Sequence, residues 1–281
     1  MNDADLEKII LQTGDIPSLP AVAAKVLQMI SSENLSLNDL EKTIENDQAF
    51  SSRVLKIANS SFYGRNRTVD SISTALMLIG FKTMSSLVIA TAMKDVNRRF
   101  GLFEQKLWDH SLAVSLAASM LARETRLVPA DEAHVAGLIH DVGKTVLNNN
   151  IPDQYVMIVE NVYAGGGSFL EVEDAMLGYN HCNVGGFIAR KWKLPKNLEV
   201  VIEFHHHTES SRDIDPTLEP LCQLVAVADS MANSLGMGLS GERVIGDRLF
   251  EVVGLGEKRY AELLEEFRKV FEEQKQSLSA T

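Results

Sequence analysis

Apolar residues recur at three- and four-residue intervals along almost the whole chain, and the strict alternation of half-buried strands is scarce. A chain with that one period can build a core only from helices, so the expected fold is all-α. Helical runs are expected at 19–30, where Pro20 suits a first turn, at 36–44 and at 47–62. Ser36 with Asp39 three residues on, and Asp47, are the capping signals of the second and third. Further runs fall at about 70–79, 82–95, 103–124, 130–148, 151–163, 180–192, 195–206, 216–235 and 256–274. "AGGGS" (164–168) and "HTESSRDIDP" (207–216) read as loops, and the tail "QSLSAT" as disordered. A seam is expected near residue 100. It separates an N-terminal helical subdomain, 1–100, from residues 101–281, which hold every histidine.

Composition narrows the function. With 38 acidic and 27 basic residues the net charge is −11, which disfavours non-specific nucleic-acid binding. Lys191, Lys193 and Lys196 form one local basic group, which reads as a solvated helix edge. The two cysteines, Cys182 and Cys222, make no disulfide framework and exclude a closed Cys-type zinc site. The start "MNDADLEKII" lacks a secretory pattern, and no apolar run reaches the ~18 residues of a membrane span. A cytoplasmic protein without membrane association is expected.

The seven histidines are His110, His134, His140, His181, His205, His206 and His207. His110 shares a helical face with Leu107, Val114, Ala117, Ala118 and Leu121, so it points inward and needs a partner there. That partner is a backbone carbonyl or a metal ion. Asp229 shares its face with Leu221, Val225 and Ala232, and a carboxylate there is costly unless paired or coordinating. In "HVAGLIHDVGK" (134–144), His140 and Asp141 are neighbours whose side chains diverge by about 100° on a regular helix. One ion can use both only at a kink or helix end; otherwise Asp141 bridges two ions. Gly137 and Gly143 leave room for another helix or a substrate, as does Gly185 one turn after His181. Lys144 suits a substrate phosphate or a solvated helix end. His205 and His206 close an apolar helix, and His134 and His207 read as structural. Imidazole plus carboxylate suits Fe, Mn, Zn, Ni or Co better than Mg.

The order His110, His140-Asp141, Asp229 resembles the H…HD…D signature of the HD phosphohydrolase superfamily. His181 and the His205-His206 pair resemble the added ligands of its two-metal branch, which includes cyclic-di-GMP phosphodiesterases. "IPSLPAVAAKVL", "DQAFSSRVLKIANSSFYG", "ISTALMLIGFKTMSSLVI" and "GYNHCNVGGFIARKWKLP" with "VVIEFHHH" are similar to the HDOD family, an HD-related output domain of bacterial signalling proteins. The resemblance implies a multi-helix HD-like fold. It implies one ion held by His110, His140, Asp141 and Asp229, and a second held by Asp141, His181, His205 and His206. Fe or Mn is favoured, with Ni, Co or Zn as alternatives.

The chain departs from the phosphodiesterase branch: no GYP loop follows His206, and Lys106 stands where three-metal members can carry Glu. The expectation is therefore a two-metal signalling output module acting mainly through protein partners. The alternative is a metal-dependent phosphohydrolase acting on a nucleotide or cyclic dinucleotide, with Asp141 orienting the ions and Lys144 steadying a phosphate oxygen.

Overall fold

The computed structural model describes residues 20–31, 36–59, 69–96, 101–207, 214–237 and 249–279, together with Glu7. All regular structure among them is helical. The N-terminal helices are α1 (Ala21–Ser31), α2 (Leu37–Glu45), α3 (Gln48–Ala58) and α4 (Ile72–Val96). The Ser36 hydroxyl accepts from Asp39 N–H at 3.2 Å, and Asp47 caps α3 by accepting from Phe50 N–H at 2.9 Å. The segments expected around 70–79 and 82–95 join in α4 across Gly80, whose φ of 80° breaks the helical path between them. These helices enclose their own apolar core, including Leu40, Ile44, Phe50, Val54, Met84 and Leu87. The expected helix end near Gly64 lies outside the described residues, as does most of the loop expected at 207–216.

The rest of the chain supplies α5 (Leu102–Thr125), α6 (Ala130–Ile139), α7 (Val142–Asn150), α8 (Pro152–Tyr163), α9 (Phe169–Leu177), α10 (His181–Lys191), α11 (Lys196–Phe204), α12 (Glu219–Ser234) and α13 (Glu257–Ser279). A short 3-10 turn at Leu249–Val253 precedes α13. Helices α5, α6 and α12 pack on one another, while α10 lies against α7 and α11. Ile89 of α4 joins the core of this second group, so α4 links the two.

Three expectations change. The single helix expected over 130–148 is two, broken at His140 and Asp141. Helix α9 was not expected, although Ser168 and Glu171 form a complete capping box at its start. The tail expected to be disordered continues α13 through Ser279. No helix among the described residues is long and apolar enough to cross a membrane. Two lysines of the local basic group have acidic partners: Lys191 meets Glu7 at 2.6 Å and Lys196 meets Glu199 at 2.7 Å.

Candidate metal centre

The break between α6 and α7 positions the centre. Asp141 leaves the helical path with φ −96° and ψ 17°, so His140 and Asp141 no longer diverge as neighbours on one helix would. The break sits where α7 runs against the start of α10. A Cβ on Gly143 would collide with the His181 carbonyl, and one on Gly137 would lie 2.9 Å from the Ser115 Cα in α5. Both glycines thus admit a neighbouring helix, the first of the two roles the sequence allowed them. Helix α5 then contributes His110, α10 His181, and α12 Asp229; His205 and His206 follow the end of α11.

All seven sequence-selected ligand candidates meet around the Asp141 carboxylate. On its Oδ2 side, His140 Nε2 lies 3.4 Å away and His110 Nε2 3.8 Å away. Asp229 Oδ1 is 2.9 Å from His110 Nε2 and 4.0 Å from His140 Nε2. On the Oδ1 side, His181 Nε2 and His205 Nε2 each stand at 3.5 Å, and His206 Nε2 is 3.0 Å from His181 Nε2. His110, His140, Asp141, His181, His205 and Asp229 are buried, and His206 is partly buried. His134 is buried outside this set, and His207 is exposed beside Phe204.

The imidazoles are held from behind. His110 Nδ1 faces the Met237 carbonyl at 3.1 Å, His140 Nδ1 that of Gly137 at 2.7 Å, and His205 Nδ1 that of Ile202 at 3.1 Å. His181 Nδ1 faces a carboxylate, Glu173 Oε2, at 2.6 Å. A carbonyl or carboxylate facing Nδ1 directs Nε2 to the interior, the arrangement metal-bound histidines use.

The donor set fits divalent metal. Atoms bound to one ion at about 2.1 Å stand about 3.0–3.4 Å apart when adjacent and about 4.2 Å apart when opposite. The spacings on both sides of Asp141 fall near those values. Moreover, the buried atoms His140 Nε2, His205 Nε2 and Asp141 Oδ1 have no hydrogen-bond partner, a costly state that an ion would relieve. The cluster can therefore bind metal: His110, His140 and Asp141 form one group of potential ligand atoms, and His181, Cys182, His205 and His206 another.

Charge within the cluster is arranged to suit. Burial pushes the His140 imidazole down to about 3, which keeps it neutral and able to ligate. Burial and the neighbouring His205 and His181 also push His206 down. Burial would raise both aspartates, but His140 and Lys144 hold Asp141 low, and His110 holds Asp229 low. Against burial, Glu173 pulls His181 up, while Cys182 and Asp141 pull His205 up to about 10.

Lys144 is fully buried. Its Nζ meets Asp141 Oδ2 at 2.8 Å and lies 4.8 Å from the centre of the Phe169 ring. The solvated-helix-end reading of this lysine is thereby excluded. Sequence reasoning missed two neighbours of the centre. Cys182 Sγ lies 3.9 Å from His205 Nδ1, on the outward side of that ring. Glu173 backs His181 from α9; the Ser168–Glu171 capping pair could have revealed the helix, but not the carboxylate's role.

An all-helical chain whose interior gathers these histidines and aspartates around one carboxylate is an HD-type helical domain. The HDOD domain family profile matches residues 16–208, and the chain belongs to that family. An uncharacterized protein of Treponema pallidum (strain Nichols) is 26% identical over 218 residues, covering 76% of this chain and 42% of the relative. The uncharacterized protein YuxH of Bacillus subtilis (strain 168) is 28% identical over 101 residues, covering 36% of this chain and 25% of the relative. This chain thus spans less than half the length of either curated relative. Among solved structures, an HDOD domain protein with unknown function from Geobacter sulfurreducens superposes with a TM-score of 0.83 at 22% identity. That match covers 96% of this chain and 95% of the other, and it shows the shared fold.

Proposed function

We propose that this chain is a signal-transduction output module whose cluster holds two divalent ions and which acts mainly through protein partners. The observation that carries the two-ion part is the Asp141 carboxylate, with one oxygen toward His110 and His140 and the other toward His181 and His205. His110, His140, Asp141 and Asp229 would hold one ion; Asp141, His181, His205 and His206 would hold the other. Fe or Mn suits these ligands best, with Ni, Co or Zn as alternatives. Membership of the HDOD family and the absence of a GYP loop after His206 support signalling rather than turnover. So does the burial of Lys144, whose ammonium is already engaged by Asp141.

The second reading is a metal-dependent phosphohydrolase acting on a nucleotide or cyclic dinucleotide, and the completeness of the ligand set favours it. Paired divalent ions supply Lewis-acid polarisation of a phosphoryl oxygen and activation of water. The chain's own part would be to orient that pair through Asp141 and to balance charge at Oδ2 through Lys144.

Elemental analysis of untagged protein purified without chelator, beside Asp141→Ala, tests the metal assignment. Near two equivalents in the wild type, lost in the variant, support it. No ion in folded wild-type protein removes it. A panel of phosphodiesters and nucleotides offered to the loaded protein then separates the readings: metal-dependent turnover favours the hydrolase, and none across the panel favours the signalling module.

A further inference from the structure

The two halves of the centre differ in their carboxylates. The His110–His140 side has Asp229 in addition to the shared Asp141, whereas the His181–His205–His206 side has no carboxylate beyond the shared one, its further acidic group being the Cys182 thiol 3.9 Å from His205 Nδ1. Behind that second side lies a carboxylate that the sequence did not single out. Glu173 Oε2 accepts both the His181 backbone N–H at 2.7 Å and its Nδ1–H at 2.6 Å. The other oxygen, Oε1, accepts the Tyr155 hydroxyl at 2.7 Å. Glu173 and Tyr155 are 0% exposed and His181 is 1% exposed.

We infer that Glu173, held by Tyr155, is the positioning residue of the second ion: it fixes His181 with Nε2 inward and adds a carboxylate charge from behind. The inference rests on the two-ion reading above. Its physical basis is the contrast among the histidines. His110 and His140 direct Nδ1 to a backbone carbonyl, which orients a ring without adding a formal charge, and His205 Nδ1 faces the Ile202 carbonyl with the Cys182 thiol farther off at 3.9 Å. His181 directs it to a carboxylate, which orients the ring and also raises the basicity of the ligating nitrogen. Position strengthens the arrangement. His181 is the first residue of α10, so its backbone N–H is among those without a partner inside the helix, and Glu173 satisfies it at the positive end of the helix dipole. Tyr155 belongs to α8 and Glu173 to α9, so the relay ties His181 directly to that helical pair.

The test uses the full chain, stripped with chelator and titrated with Mn(II), with free ion read by electron paramagnetic resonance and affinity by competition calorimetry. Glu173→Gln keeps the shape and one acceptor while removing the charge. It is expected to weaken the second Mn(II) by about 10–100-fold and to leave the first unchanged. Tyr155→Phe should weaken the second ion less, and Glu173→Asp should recover part of the loss because it restores the charge. Thermal unfolding in chelator establishes that each variant is folded; if Glu173→Gln does not fold, Tyr155→Phe carries the test. Wild-type affinity for both ions in a folded Glu173→Gln overturns the inference while the two-ion reading stands. Equal weakening of both ions also overturns it, since that indicates a general packing role. Wild-type protein that takes up no Mn(II) overturns the inference together with the reading beneath it.

Discussion

The N-terminal helices and the helices around Asp141 solve the problem of a core in opposite ways. The core of α1–α4 is aliphatic and aromatic, and its buried polar residues are neutral hydroxyls such as Thr43, Ser85 and Thr91. The second group buries His110, His140, Asp141, Lys144, Glu173, His181, His205 and Asp229 among its apolar side chains. An apolar core gains from every area it removes from water. A core holding ionised groups must first offset their desolvation, through close partners or a bound ion. Stability in the first region should therefore be indifferent to metal, and stability in the second should depend on it.

The largest effect expected of a single substitution is on ion content. Asp141→Ala removes the carboxylate shared by both donor groups, and both ions should be lost together, from near two equivalents to none by elemental analysis. Loss of one ion alone would show that the two groups are independent, and the proposed bridge would fail.

The converse change belongs in the other region. Phe50 is 2% exposed in the N-terminal core, and Phe50→Ala should cost about 3–5 kcal/mol of unfolding free energy. Ion content of the protein that remains folded should not change. Denaturant unfolding and elemental analysis on one preparation check both halves of this statement. A drop in ion content there would mean that the two cores are coupled through α4 more tightly than their separate apolar clusters suggest.

Chelation should produce a smaller shift confined to the second region. An ion present at about a hundredfold excess over its dissociation constant stabilises the folded state by about 2.7 kcal/mol, and chelator withdraws that contribution. Hydrogen exchange should show loss of protection in α6, α7 and α10 with α2 and α3 unaltered. A uniform loss across all of these helices would contradict the division drawn between the cores.

The same contrast explains how far the sequence could be read. Local period was enough for the all-helical class and for the interruption at Gly80, because both are set by neighbouring residues. It also located His110 and Asp229 as inward-facing polar groups. The break at His140 and Asp141 escaped it, since "HVAGLIHDVGK" has an unbroken helical pattern and the interruption lies where Gly143 meets the His181 carbonyl, nearly forty residues away. Glu173 escaped for a related reason. In "FLEVEDAML" it is one of three acids in a stretch where no helix was expected, and only the fold shows that Tyr155 and His181 enclose it. Residues whose role depends on a distant partner leave little trace in a local pattern.

His134 offers the finest division, because it is a buried histidine of the second region outside the ligand set. Burial pulls its imidazole down to about 4, against a backbone hydrogen bond at Ser115 that favours the charged form. An unfolded chain titrates this group near 6.5. Between about 4 and about 6.5 the unfolded state therefore binds more protons than the folded one, so His134 lowers stability as pH falls through that window. His134→Gln removes the titration and retains a donor for a neighbouring carbonyl. The difference between the two proteins, from urea midpoints measured in chelator, should narrow in favour of the variant as pH falls and become constant below about 4. Both proteins carry the same cluster around Asp141, so its protons cancel in that difference. A pH-independent difference would show that His134 does not change its proton occupancy on folding, and that the acid sensitivity of this region resides in the metal centre alone.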